Sequence, residues 1–134
     1  MRFMLIVKAD ERSEAGVLPT QQELAEMGRL NDEMIKAGVM LAGEGLQASS
    51  KGKRVEFKGG KPKVTDGPFA ETKELIAGFW LIQAKSIDEA VEWARRVPFS
   101  EGTVEVRQVF ELEDFESGEG LDIHRKHREQ LAQG

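Results

Sequence analysis

The chain has 134 residues and no cysteine, with 24 acidic and 19 basic side chains for a formal net charge of −5. That is one domain's worth of chain, since domains run on the order of 100–150 residues, and it suffices to bury roughly two thirds of the unfolded surface. Without cysteine there is no disulfide framework, thiolate zinc site, iron–sulfur cluster or thiol nucleophile, a composition that fits a reducing cytoplasm.

Phe3-Met4-Leu5-Ile6-Val7 is an apolar run of strand length, flanked by charge. It is read as neither signal peptide nor span, and no later stretch approaches about 20 apolar residues, so no membrane partner is expected. Residues 9–18 are polar, contain Gly16 and are expected to form a loop. Thr20-Gln21-Gln22-Glu23 is a capping box, in which Thr20 and Glu23 satisfy each other's free amides. Leu24, Met27, Leu30, Met34 and Ile35 follow at steps of three and four, predicting a helix over 20–37 that stops at Gly38. Val39-Met40-Leu41-Ala42 reads as a strand and runs into Gly43-Glu44-Gly45. A hairpin is expected next, with strands 54–58 and 61–65 around Gly59-Gly60.

The second half repeats this grammar. Residues 78–84 form an apolar strand, and Ser86-Ile87-Asp88-Glu89 is a second capping box. Ile87, Ala90, Val91, Ala94 and Val97 share one helical face up to Pro98, and 103–110 alternates as a strand. Two strand–helix–strand halves predict an α+β fold, a ferredoxin-like split βαβ sandwich with an added hairpin. Such a sheet carries helices on one face, and a second copy is the simplest cover for the other, so a homodimer is expected. Residues 111–120 read as an acidic, glycine-containing connector, and 121–132 as a short amphiphilic helix.

Charge is uneven. Residues 111–134 hold seven acids and three bases, leaving 17 acids against 16 bases in the body. A near-neutral body exerts little long-range pull on a polyanion, so direct nucleic-acid binding is not expected. The exception is Lys51, Lys53, Arg54, Lys58, Lys61 and Lys63. These read either as an edge hairpin whose lysines discourage strand pairing or as an anion-attracting rim. Phe57 alone offers no stacking series among them.

The stretch with most chemical character is 64–74, Val-Thr-Asp-Gly-Pro-Phe-Ala-Glu-Thr-Lys-Glu. Asp66-Gly67-Pro68 is turn chemistry, and Phe69 reads as a core plug. The same glycine and proline hold a carboxylate rigidly, which suits a general base. Glu44, set between glycines at a strand end, reads equally as a solvated turn residue or a binding group. If Glu44 and Asp66 met in a partly apolar cavity, one would titrate high and serve as acid or base. Lys73 either pairs with Glu71 or Glu74 or orients an anionic substrate. Trp80 and Trp93 lie in core patterns. His124 and His127 stand three apart among Arg125, Lys126 and Arg128, a positive setting that opposes a metal cation, and no metal is assigned. There is no phosphate loop, dinucleotide fingerprint or nucleophile elbow, and no cofactor is assigned.

The run at 64–74 with GFWLI at 78–82, AGEGLQ at 42–47 and DEAVEWARRVP at 88–98 resembles the DGPF subgroup of the YCII-related family, over about residues 1–111. The resemblance implies the dimeric α+β barrel superfamily, whose members include lactone isomerases, a dechlorinating enzyme and cofactor-independent oxygenases. Residues 66–73 and Gly43, Glu44 and Gly45 match the family motifs. Relatives pair an aspartate with a histidine of the first helix, and the helix here has none. Residues 112–134 read as a charged C-terminal extension. The expected function is binding of a small organic molecule, with lyase or isomerase chemistry at a carboxylate, Asp66 first and Glu44 second. Gly45, Gly67, Pro68, Phe69, Lys73 and Trp80 are the expected substrate-binding residues. The alternative is a non-catalytic accessory protein of a sigma factor, since some subgroup members are encoded beside one.

Overall fold

The computed structural model describes residues 1–133. In chain order the elements are β1 (Arg2–Lys8), α1 (Glu11–Glu14), α2 (Gln21–Lys36), β2 (Met40–Gly45), β3 (Lys53–Lys58), β4 (Lys61–Asp66), β5 (Ile76–Gln83), α3 (Ile87–Arg95), β6 (Val104–Gln108) and α4 (Glu119–Gln133). Four strands form one antiparallel sheet ordered β2-β5-β1-β6, and β3 and β4 form a separate two-stranded hairpin. This is a ferredoxin-like α+β fold with an inserted hairpin, as the two repeated halves imply.

Side chains alternate across a strand, so each strand of the sheet splits its residues between two faces. Phe3 and Leu5 of β1 lie opposite Ile82 and Trp80 of β5. These four pack with Leu30 and Met34 of α2, Ala90 of α3, and Val39, Ala84 and Val97 in one buried cluster. The other face carries Met4 opposite Leu81 and Ile6 opposite Phe79. Ile6 is buried there, while Met4, Leu81 and Phe79 stay partly open. The central pair β1–β5 is therefore apolar on both sides.

The helix starts follow local chemistry. The Thr20 hydroxyl accepts from the Glu23 N–H at 3.1 Å, and the Glu23 carboxylate accepts from the Thr20 N–H at 3.0 Å. At α3 the reciprocal box predicted for Ser86 is only half made. The Ser86 hydroxyl accepts from the Glu89 N–H at 3.2 Å, but the Glu89 carboxylate takes the Lys85 N–H at 2.9 Å instead of that of Ser86. Gly38 ends α2 at φ 70°, the left-handed conformation that a residue without Cβ adopts most readily.

Two expectations change. The polar segment 9–18 contains α1, one turn of helix capped by Asp10, which exchanges bonds with Ser13 at 2.8 and 2.9 Å. The segment read as a connector after residue 110 is tied down at its start, because the Arg2 guanidinium donates to both Glu111 oxygens, at 2.7 and 3.3 Å. A 3₁₀ turn, Leu112–Asp114, follows, and α4 begins two residues earlier than its apolar spacing indicates. Among the described residues no helix is long and apolar enough to cross a membrane.

Truncating the fully buried Met34 to alanine should lower the unfolding free energy by about 2–5 kcal/mol, whereas Leu18→Ala, on the surface, should change it by less than about 0.5 kcal/mol. Urea denaturation of the two variants checks where the core lies.

Candidate functional site

The glycine–proline loop after β4 does not hang free. Its anchor is Ser49, in the 3₁₀ turn Ser49–Lys51 that leads into β3. The Ser49 hydroxyl accepts the Phe69 N–H at 3.1 Å and itself donates to the Glu14 carboxylate, which also accepts the Ser49 N–H at 2.9 Å. Glu14, at the end of α1, is thus joined to the motif loop through one side chain. The hydroxyl bond first, and the backbone bond second, hold the Glu14 carboxyl below its ordinary value.

The loop also closes on the same turn through its backbone. Gly67 donates its N–H to the Gly52 carbonyl at 3.0 Å. A Cβ at Gly67 would overlap the Ser49 carbonyl, so the approach of the two segments excludes any side chain there. The Gly67–Pro68 peptide bond is cis. The Phe69 ring centroid lies 3.8 Å from the Arg54 guanidinium carbon, and the same guanidinium reaches Glu71 at 3.6 Å. Glu71 therefore pairs with Arg54 rather than Lys73, and Lys73 forms no ion pair among the described residues.

Asp66 is the last residue of β4 and lies opposite Lys53 in the hairpin register. Its carboxylate meets the Lys53 ammonium at 2.5 Å, and its side chain is 74% exposed. Glu44 is elsewhere, on edge strand β2, opposite Phe79 and on the sheet face turned away from α2 and α3. Gly45 lies opposite Gly78, where a Cβ would come within 2.8 Å of the Glu44 carbonyl. Among the described residues no hydrogen bond joins Glu44 to Asp66, and only Asp66 is engaged by a cation.

Trp80 occupies the opposite face. It is 6% exposed, donates its indole N–H to the Asn31 amide oxygen at 2.8 Å, and covers Gly43 of β2. It belongs to the core beneath α2. His124 and His127 sit edge to face on α4, ring centroids 5.6 Å apart. A shallow apolar groove between α3 and β6, lined by Ile87, Val91, Ala94, Val104 and Val106, borders none of the candidate residues.

A family model for the YCII-related domain matches residues 1–113. The chain belongs to the YCII-related family. An uncharacterised protein of Rhizobium meliloti is 32% identical over 90 residues, covering 65% of this chain and 73% of the relative. Within this YCII-related domain the residues that sequence reasoning missed are Glu14 and Ser49. Glu14 and Ser49 are 35 positions apart, and Ser49 and Phe69 are 20 apart. No local pattern marks such a contact.

Helix α1 is braced to α2 by Arg12, which donates to both Glu23 oxygens at 3.3 Å. That pairing foremost, with the Thr20 N–H and hydroxyl after it, lowers the Glu23 carboxyl from 4.5 to about 2. A carboxyl lowered in the folded state stabilises the fold above its unfolded value and loses that contribution as pH falls through its folded value. Stability should therefore decline between pH 4.5 and about 2, and Glu23→Gln should flatten that part of a denaturation-against-pH curve. Ser49→Ala should speed exchange of the Phe69 amide hydrogen by roughly tenfold, about 1.4 kcal/mol of local opening, while leaving the exchange of β1 amides unchanged. Hydrogen exchange read by NMR decides this.

Proposed function

We propose that the protein is a member of the DGPF subgroup that acts as a homodimer and binds a small organic molecule against the sheet face turned away from α2 and α3. One juxtaposition carries this reading: a carboxylate, Glu44, stands opposite Phe79 on that face, beside Ile6 and Leu81, an ionisable group on a mainly apolar surface. A second copy over this face would enclose the carboxylate.

The chemistry that suits such a site is proton transfer at a carbon beside a carbonyl, in a lyase or isomerase without cofactor. Glu44 takes the proton, the electron pair moves onto the carbonyl oxygen, and the proton returns at another carbon or a leaving group departs. Glu44 fits the base better than Asp66, whose carboxylate is already engaged by Lys53 in solvent. Lys73, three residues ahead of β5 and without an ion pair, is suited to an anionic group on the ligand. Gly67, Pro68 and Phe69, in the loop tied to Ser49, are the proposed rim. Residues 112–134 are taken as an extension outside the binding domain, and the cytoplasm as its compartment. The family name carries no activity of its own, so the assignment stands on these residues.

A thermal-shift screen with small lactones, enols and aromatic acids tests the reading on wild type, Glu44→Gln and Asp66→Asn. A ligand at one hundred times its Kd stabilises by about 2.7 kcal/mol, a shift of several degrees in a chain of this size. A response abolished by Glu44→Gln and kept by Asp66→Asn is expected. A response that Glu44→Gln leaves intact would overturn the role of Glu44, and sedimentation showing a monomer at micromolar concentration would overturn the dimer.

A further inference from the structure

Sheet edges lie at β2, at β6 and along the β3–β4 hairpin, and all but β6 are built to resist a partner strand. Edge strand β2 breaks register between Met40 and Ala42 and ends in Gly43, Glu44 and Gly45. The hairpin carries Lys53, Lys58, Lys61, Pro62 and Lys63 along its strands. Bulges, lysines and prolines of this kind discourage edge-to-edge pairing. β6 has none of them. Val104-Glu105-Val106-Arg107-Gln108 runs against β1 without a shift of register.

The ladder fixes which groups of β6 face outward. The Thr103 carbonyl accepts from the Lys8 N–H at 3.0 Å, and the Val109 N–H donates to the Arg2 carbonyl at 2.9 Å. Bonded pairs alternate along an antiparallel ladder, so the odd-numbered residues 103–109 bond to β1. Val104, Val106 and Gln108 therefore turn their N–H and C=O groups out. Among the described residues no backbone carbonyl accepts those three N–H groups. The side chains alternate as well. Val104 and Val106, opposite Val7 and Leu5, face α3 and floor the apolar groove whose other wall is Ile87, Val91 and Ala94. Glu105 and Arg107, opposite Ile6 and Met4, lie on the far face, 4.0 Å apart and open to solvent.

This pattern is complementary to itself. An antiparallel copy centred on Val106 sets Val106 against Val106 and Val104 against Gln108, so the two strands exchange bonds at every outward position. The same register sets Glu105 against Arg107 and Arg107 against Glu105, at the non-bonded positions where cross-strand side chains come closest. Centring on Glu105 or on Arg107 also satisfies the backbone, but it sets like charges against each other. Charge therefore selects Val106 as the centre. A two-fold axis normal to the sheet at that point puts α3 of both copies on one side and brings the two apolar grooves together along the seam. Glu44, on the opposite edge strand, stays clear of it.

We propose that β6 pairs antiparallel with β6 of a second copy, centred on Val106, so that one continuous sheet runs through both chains. This contact uses the sheet edge and is separate from the cover proposed above for the face of Glu44.

The chain has no cysteine, so a single Val106→Cys provides the first test. Directly bonded antiparallel residues lie about 5.5 Å apart at Cα, within the roughly 4.4–6.8 Å that a disulfide spans. Val106→Cys should give a covalent dimer on air oxidation. Val104→Cys, whose two copies would lie about 13 Å apart along the strands, should not. Sedimentation equilibrium of charge variants is the second test. Glu105→Arg and Arg107→Glu should each weaken association by roughly tenfold, and an equimolar mixture of the two should restore it, because each chain then meets the opposite charge at both positions. A cover over the Glu44 face forms no such disulfide, since Val106 faces α3. Association of the wild type with no preference for Val106→Cys over Val104→Cys, or with charge variants that mixing does not rescue, would overturn the edge pairing and leave that cover standing. Wild type that stays monomeric at micromolar concentration would overturn both.

Discussion

The pairing of β1 with β5 is the constraint on which the rest of the chain depends, because it is the one part of the sheet that is apolar on both faces. Phe3, Leu5, Trp80 and Ile82 form the floor beneath α2 and α3. A slip of one residue would turn them out and bring Met4, Ile6, Phe79 and Leu81 in. Both sets are apolar, so hydrophobicity alone chooses poorly between registers. Polar detail decides it. The Trp80 indole has a partner in Asn31 only when Trp80 faces the helices, and Gly43 leaves room for the indole ring in the neighbouring strand. An indole N–H buried without that partner would cost about 1–3 kcal/mol.

With the register set, the position of Glu44 follows. Gly43 must face the tryptophan, so the next residue along β2 must face the other way, beside Phe79. The carboxylate reaches the apolar face because the core needs a glycine one position earlier. The motif loop is placed by an independent device. Ser49 joins it to α1, and α1 is joined to α2 through Arg12 and Glu23. The loop is therefore tied to the helical layer by side-chain bonds rather than by burial in the core.

The fold was legible in the sequence because its signals are local. Thr20 and Glu23 announce α2 within four residues, Gly59-Gly60 announces the hairpin, and the 3.6-residue spacing around Ala90 announces α3. The site was legible only in part. Asp66, Gly67, Pro68 and Phe69 stood out by composition, but the anchor of their loop is a serine twenty residues back and a glutamate on a helix of one turn. Such pairings exist only once the chain is folded. The half-made box at Ser86 teaches the same point on a smaller scale. Its sequence is that of a box, but the backbone ahead of α3 brings the Lys85 N–H closer to Glu89 than that of Ser86.

The two carboxylates that the sequence singled out differ in what the fold asks of them. Asp66 sits across a strand pair from Lys53 in open solvent, where such an ion pair contributes no more than about 1 kcal/mol. It closes the base of the hairpin and balances one of its five cations. Among the described residues Glu44 forms no ion pair, and it has an aromatic neighbour in register. Its side chain is exposed, so water solvates the carboxylate while that face is open. What would ask more of Glu44 is a cover over its face: a group laid there must replace that water with a polar partner, which is why the binding proposed above is placed at this residue rather than at Asp66.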